Sequence, residues 1–254
     1  MFAGHCYIAQ IENSRVSRMP ALLTFWQQDR RTPSCLVSSL WDLMRLERIP
    51  LFPLNVVLFP GADLPLHIFE PRYRQMVWHC VEDKSEFGML LALPKGIVRV
   101  GCTAEITQVM KRYNDGRMDI LTVGRAPFRI VELLNAEQYE EDDLLEGQVD
   151  YLDDQERAVD ARLRRELVQL YEACYTMVFE DYPRNVRRDT EDNLSYLVAG
   201  TLPLDLLWKQ QILELRSEAD RQERLLGYLR EWAPHLQKTE AKRARAGGNG
   251  HAVH

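Results

Sequence analysis

Residues 49–77 read IPLFPLNVVLFPGADLPLHIFEPRYRQMV, and the punctuation of this stretch decides the fold. Short apolar runs interrupted by proline suit strands, and the break at Phe59-Pro60-Gly61 divides them into two, joined by a tight turn as an opening hairpin. Pro60 fixes its own φ and drives Phe59 out of the helical region, while Gly61 is free to take the positive φ that a sharp reversal needs. Pro71 marks a helix start, because the N–H that proline lacks would have no helical partner in the first turn. Tyr73, Met76 and Val77 supply the apolar stripe of that helix, which runs to about residue 82.

Beyond the helix, Phe87-Gly88-Met89-Leu90-Leu91-Ala92-Leu93 is a continuous apolar run of strand length and is expected to be a buried strand. Residues 98–110 alternate apolar and polar side chains, as a half-exposed strand does. Asn114-Asp115-Gly116-Arg117 follows as a turn whose Asp-Gly pair suits type I′, with residues 118–124 returning as the next strand. Residues 127–133 and 146–151 give two more. Closely spaced short strands with one early helix favour a small mixed β-barrel or strongly bent sheet over a doubly wound fold. The acidic segment 137–146 reads as a solvated loop, since consecutive acids project in all directions and rarely converge on one ion.

From Asp153 the pattern becomes helical. Val159, Leu163, Leu167, Leu170, Tyr171 and Cys174 share one face of a long helix that Tyr182-Pro183 ends. Asp189-Thr190-Glu191-Asp192 offers caps for a second helix through Leu194, Leu197 and Val198. A third starts at Leu202-Pro203-Leu204, and a fourth passes Leu225, Leu226, Leu229 and Trp232 to stop at Pro234. The fold class is therefore α+β: a barrel domain over residues 44–152, a helical bundle over 153–236, and a basic, then glycine-rich, disordered tail over 237–254.

The ordered motifs Leu51-Phe52-Pro53-Leu54, Val57-Leu58-Phe59-Pro60-Gly61, Leu64-Pro65-Leu66 and Ile68-Phe69-Glu70-Pro71-Arg72-Tyr73 carry a family likeness. The chain resembles the N-terminal substrate-binding domain of Lon proteases in its stand-alone form, over about residues 49–232. The resemblance implies a PUA-like barrel followed by helices, and recognition of polypeptide. Residues 1–43 lie outside it as a poorly ordered extension, and Met44 just ahead of it is the expected true start.

Hydrophobic residues make up 46% of the 254, enough for a sizeable core, and the formal net charge of −6 disfavours nonspecific nucleic-acid binding. No stretch approaches the ~20 apolar residues of a membrane span, and no secretory signal is recognisable. Cys6, Cys35, Cys80, Cys102 and Cys174 are scattered without the close pairs of a zinc or redox motif, which suits reduced thiols in the cytoplasm.

Chemistry-bearing motifs are missing from the sequence. The closest approach to a phosphate loop, residues 96–103, has Cys102 where the phosphate-binding lysine belongs. Full-length Lon proteases carry an ATPase motor and a Ser-Lys protease domain, and the sequence contains neither a phosphate-loop motif nor the Pro-Lys-Asp-Gly-Pro-Ser-Ala-Gly motif of the latter. No catalytic residue, metal ligand or cofactor is assigned. His67 reads as a satisfied strand histidine rather than a base.

Binding remains. Glu70, Arg72, Tyr73 and Arg74 surround the helix start, where free backbone N–H groups and the positive dipole end receive polar groups. The competing reading has Glu70 capping the helix and pairing with an arginine while Tyr73 packs down. Phe52, Leu54, Val57, Leu58, Phe59 and Leu66 exceed what a small barrel holds, so some are expected to line a groove toward the bundle. The candidate binding residues are Phe59, His67, Glu70, Arg72, Tyr73 and Arg74. The expected partners are unfolded or partly folded polypeptide and an ATP-dependent protease served as adaptor or holder. The rival is a small-ligand or RNA-binding PUA-like module.

Overall fold

The computed structural model describes residues 46–94, 96–134, 143–183 and 193–247. The expectations for residues 1–43, for Met44, and for the caps at 189–192 lie outside these residues, as does most of the acidic loop. The chain divides into two compact units between Asp153 and Asp154.

The first unit is built from β1 (Leu46–Leu54), β2 (Asp63–Ile68), α1 (Pro71–Asp83), β3 (Phe87–Leu93), β4 (Gly96–Ile97), β5 (Val100–Arg112), β6 (Met118–Leu134) and β7 (Leu145–Tyr151). β1 pairs antiparallel with β7 and parallel with β3, and β7, β6, β5 and β3 complete the circuit. Five strands thus close into the small mixed barrel that the sequence predicts, and closure removes the exposed strand edges that an open sheet would leave. Ile49, Leu51, Leu90, Phe128, Ile130, Leu145 and Val149 form a core cluster from four of these strands, β1, β3, β6 and β7.

The opening hairpin is a correction. β1 and β2 do not pair; β2 runs antiparallel along β6 with Leu64 opposite Thr122 and His67 opposite Asp119. The reason lies in the turn between them. Ala62 N–H donates to the Phe59 carbonyl at 3.0 Å, with Pro60 and Gly61 (φ 77°) at the centre, the pattern of a type II turn. This turn is pinned to Gly124: Gly61 N–H donates to the Gly124 carbonyl at 2.9 Å, and Gly124 N–H to the Ala62 carbonyl at 3.0 Å. Gly124 therefore serves as a docking point inside one 17-residue strand, not as the break between two strands that its composition suggests.

The turn after β5 also differs from expectation. Gly116 N–H donates to the Tyr113 carbonyl, and Gly116 alone in that turn has positive φ (85°), so Asn114 and Asp115 occupy a type I turn followed by a left-handed glycine. Type I′ would need positive φ at both central residues.

The second unit holds α2 (Ala161–Phe179), α3 (Leu194–Thr201), α4 (Leu206–Glu214) and α5 (Glu218–Gly247). α2 starts at Ala161 rather than near Asp153, with the Asp160 carboxylate accepting the Arg162 N–H at 2.7 Å. Leu167, Tyr171 and Cys174 are its buried face. Asp205 caps α4 by accepting from Leu207 and Trp208 N–H, so Leu202-Pro203-Leu204 precedes the helix instead of opening it. α5 continues through Pro234 to Gly247, where the sequence predicts a stop and a disordered tail. Proline removes one backbone bond, but the lysine, glutamate, alanine and arginine that follow favour helix strongly enough to carry it on.

The unit is tied together by Arg221, a fully buried arginine. Its guanidinium donates to both Asp154 oxygens, to Glu218, to the Ser195 hydroxyl and to the Leu215 carbonyl, and it lies 4.1 Å from the centre of the Tyr196 ring. Asp154 is drawn into this network, and beside it the Gln155 N–H donates to the Arg216 carbonyl instead of to a helical partner. Among the described residues no helix is long and apolar enough to cross a membrane.

Candidate functional site

α1 turns one face inward and one outward. Tyr73, Met76, Val77 and Cys80 recur at helical spacing and are buried, which leaves Arg74, Gln75, Trp78 and His79 on the opposite side. These four, with Pro71, form one wall of a cleft of about 430 Å3; the other wall is the end of the β5–β6 hairpin, contributing Arg112, Tyr113, Gly116, Arg117 and Met118. The cleft lies wholly within the first unit.

Its lining is aromatic and cationic. Trp78 is 44% exposed, large for a tryptophan, and the Arg112 guanidinium lies 4.9 Å from its ring centre. Arg117 lies 5.0 Å from the centre of the Tyr113 ring, and Lys111, just outside the lining, 4.4 Å from it. Arg74 crosses from α1 to the hairpin and donates to the Asp115 carbonyl at 2.5 Å. Arg117 is neutralised by Asp115, whose carboxylate accepts its backbone N–H and its Nε. Those bonds hold the Asp115 carboxyl below the usual carboxylate range.

The hairpin is braced from β2. His67 Nδ1 meets Asp119 Oδ1 at 2.5 Å, and the Tyr113 hydroxyl donates to Asp119 Oδ2 at 2.8 Å. The hydrogen bond from His67 holds the Asp119 carboxyl low, aided by Tyr113 and by the charges of His67 and Lys111, while partial burial works against them. His67 is thereby a partnered strand histidine, positioned behind Tyr113 with the two rings edge to face at 5.7 Å.

The residues singled out by sequence fall in several places. Arg74 alone among them lines the cleft. Glu70 makes no side-chain capping bond and instead accepts from Arg72 Nε and Nη2, at 3.1 and 2.8 Å. Tyr73 is buried with its ring 4.1 Å from that of Phe52. Phe59 is fully buried, as are nearly all of Phe52, Val57 and Leu58, so these side chains belong to the interior rather than to an exposed groove. Sequence reasoning missed Trp78, Arg112, Tyr113 and Arg117. The available signals were the Arg74/Trp78 spacing on the polar face of α1 and the cations flanking the hairpin turn; pairing them needs the tertiary fold. Among the described residues no acid, histidine and cysteine cluster suited to a metal is present.

Residues 48–231 match the family model described as the ATP-dependent protease La (LON) substrate-binding domain. The chain is 28% identical over 196 residues to Lon protease 2 of Herpetosiphon aurantiacus, covering 70% of this chain and 23% of that protein. It is 27% identical over 184 residues to Lon protease 1 of Hydrogenovibrio crunogenus, covering 68% and 22%. The chain thus spans under a quarter of the length of these relatives. Among solved structures, a Lon N-terminal domain protein from Xanthomonas campestris superposes with a TM-score of 0.56 at 24% identity, over 72% of this chain and 98% of that one. The N-terminal domain of a Mycobacterium avium complex Lon protease gives 0.50 at 17% identity, over 74% and 98%. Both likenesses are likenesses of fold.

Proposed function

Because this chain belongs to the LON substrate-binding domain family, we propose that it is a non-enzymatic polypeptide-recognition module, acting as adaptor or holder for an ATP-dependent protease. The observation that carries the reading is the cleft between α1 and the β5–β6 hairpin, where a half-exposed tryptophan sits among guanidinium groups. Soluble domains seldom leave so large an apolar ring in a concavity without a partner for it, and unfolded chains expose the apolar side chains that would cover it. We place the protein in the cytoplasm, where its buried free thiols Cys80, Cys102 and Cys174 stay reduced.

Anisotropy of a fluorescently labelled, permanently unfolded protein titrated with the full chain tests this. Saturable binding weakened by about tenfold in Trp78→Ala is expected, the loss typical of an aromatic anchor. No binding, or binding indifferent to Trp78, overturns it.

A further inference from the structure

Two arginines in the cleft are left without carboxylate partners. Arg74 donates to a backbone carbonyl and Arg112 lies over Trp78, and neither has a carboxylate within ion-pair distance among the described residues. Resting on the polypeptide-binding reading, we propose that the cleft selects acidic segments that also carry an aromatic or large aliphatic side chain.

The geometry supplies both halves of that specificity. A guanidinium has five N–H donors in a fixed plane, so Arg74 keeps donors available after its bond to Asp115, and that bond limits the rotamer freedom a carboxylate would otherwise have to freeze out. Arg112, its guanidinium carbon 4.9 Å from the indole centre, lies at an exposed position, and a guanidinium's planar fork of donors suits bidentate carboxylate bonds. Arg117 adds little net charge because Asp115 cancels it, and Lys111, outside the cleft lining, stands opposite Asp119 in the β5–β6 register, so Arg74 and Arg112 carry the positive charge. Trp78 provides the apolar surface for the neighbouring side chain of the client.

The patch is opposite in sign to the protein as a whole, whose formal charge is −6. Beyond the ~8 Å screening length of physiological salt an acidic client feels little of either, so the cleft discriminates at contact rather than by steering. A nucleic acid binds through many phosphates along an extended basic track, whereas the cleft offers two arginines without carboxylate partners, Arg74 and Arg112.

Three labelled probes separate the possibilities: a short peptide of glutamate, phenylalanine and glycine; the same peptide with glutamine for glutamate; and a single-stranded RNA oligomer. The full chain is expected to bind the glutamate peptide about tenfold tighter than the glutamine peptide, the preference fading with added salt. Arg112→Gln, an exposed position whose loss leaves the fold intact, is expected to remove most of the preference, and Arg74→Gln the rest. Equal affinity for the two peptides, both dependent on Trp78, overturns the charge selection while the polypeptide-binding reading stands. A preference that survives both arginine changes overturns its placement in the cleft. Tighter binding of RNA than of the glutamate peptide overturns the choice of partner, and binding of no probe and no unfolded protein overturns both readings.

Discussion

Phe59 and Gly124 meet backbone to backbone: a Cβ on residue 124 would lie 2.1 Å from the Phe59 carbonyl oxygen and 2.8 Å from its carbonyl carbon. That contact anchors the turn between β1 and β2 against the middle of β6. Neither atom can retreat without breaking the two backbone bonds that straddle it. Gly124→Ala is expected to cost about 3 kcal/mol or to prevent folding, at the upper end for overpacking because backbone must move. Gly227, exposed within α5, has nothing within 4 Å of its would-be Cβ. Gly227→Ala is expected to stabilise by about 0.5–1 kcal/mol through helix propensity. Urea unfolding of the two variants gives opposite signs if the contact is as described.

Arg221 carries the second unit's polar network, and its partners are unequally exposed. Its own side chain is fully buried, that of Glu218 is 11% exposed and that of Asp154 41%. Arg221→Leu strands the Glu218 carboxylate without a cation, with an expected loss of about 3–5 kcal/mol. Asp154 can turn to water, so it contributes less to that loss. Adding Glu218→Gln should recover part of the stability, since an amide is cheaper to bury than a charge. Denaturant midpoints of the single and double variants check the order.

The His67–Asp119–Tyr113 brace gives the first unit an acid-sensitive contribution. The folded-state pKa of Asp119 is depressed, so its stabilisation is fully present above the unfolded value near ~3.9 and is lost as pH falls through the lower folded value. Asp119→Asn is expected to be less stable than the parent at neutral pH, with the gap closing under acid. Thermal unfolding of both proteins across that range checks it; a gap that stays constant with pH would show that the carboxylate's charge is not what matters.

Burial pushes the Cys174 thiol up to about 11 and pushes Cys80 and Cys102 up as well. Thiolate is the reactive form, so all three should resist iodoacetamide at pH ~8 in the folded protein and react once unfolded. Mass mapping of the modified peptides reads this directly, and rapid native modification of Cys102 would contradict its burial.

Much of the fold was legible because its signals are local. The apolar run at β3 and the helical face of α2 each depend on a neighbour a few residues away, whereas β5 forms as a strand without the alternation expected of it: residues 100–104 are all buried and its far end is largely exposed. The failures are of another kind. Nothing near β1 says that it pairs with β3 and β7 in preference to β2, because that choice is made by the Phe59 turn docking on a glycine far along the chain. Asp205 and not Leu202 opens α4 because a side-chain cap outweighs a proline cue. The cleft was half readable: Arg74 was found from the helix start, but Trp78 and Arg112 come together only when α1 packs beside the hairpin.

Hydrogen–deuterium exchange of the full chain with and without a permanently unfolded client tests the central claim most directly, because it reports where the client sits. Slowed exchange is expected in α1 over residues 71–83 and in the hairpin over residues 110–118, the two walls of the cleft. Saturating binding with slowed exchange confined to other segments would contradict the assignment of polypeptide recognition to this cleft.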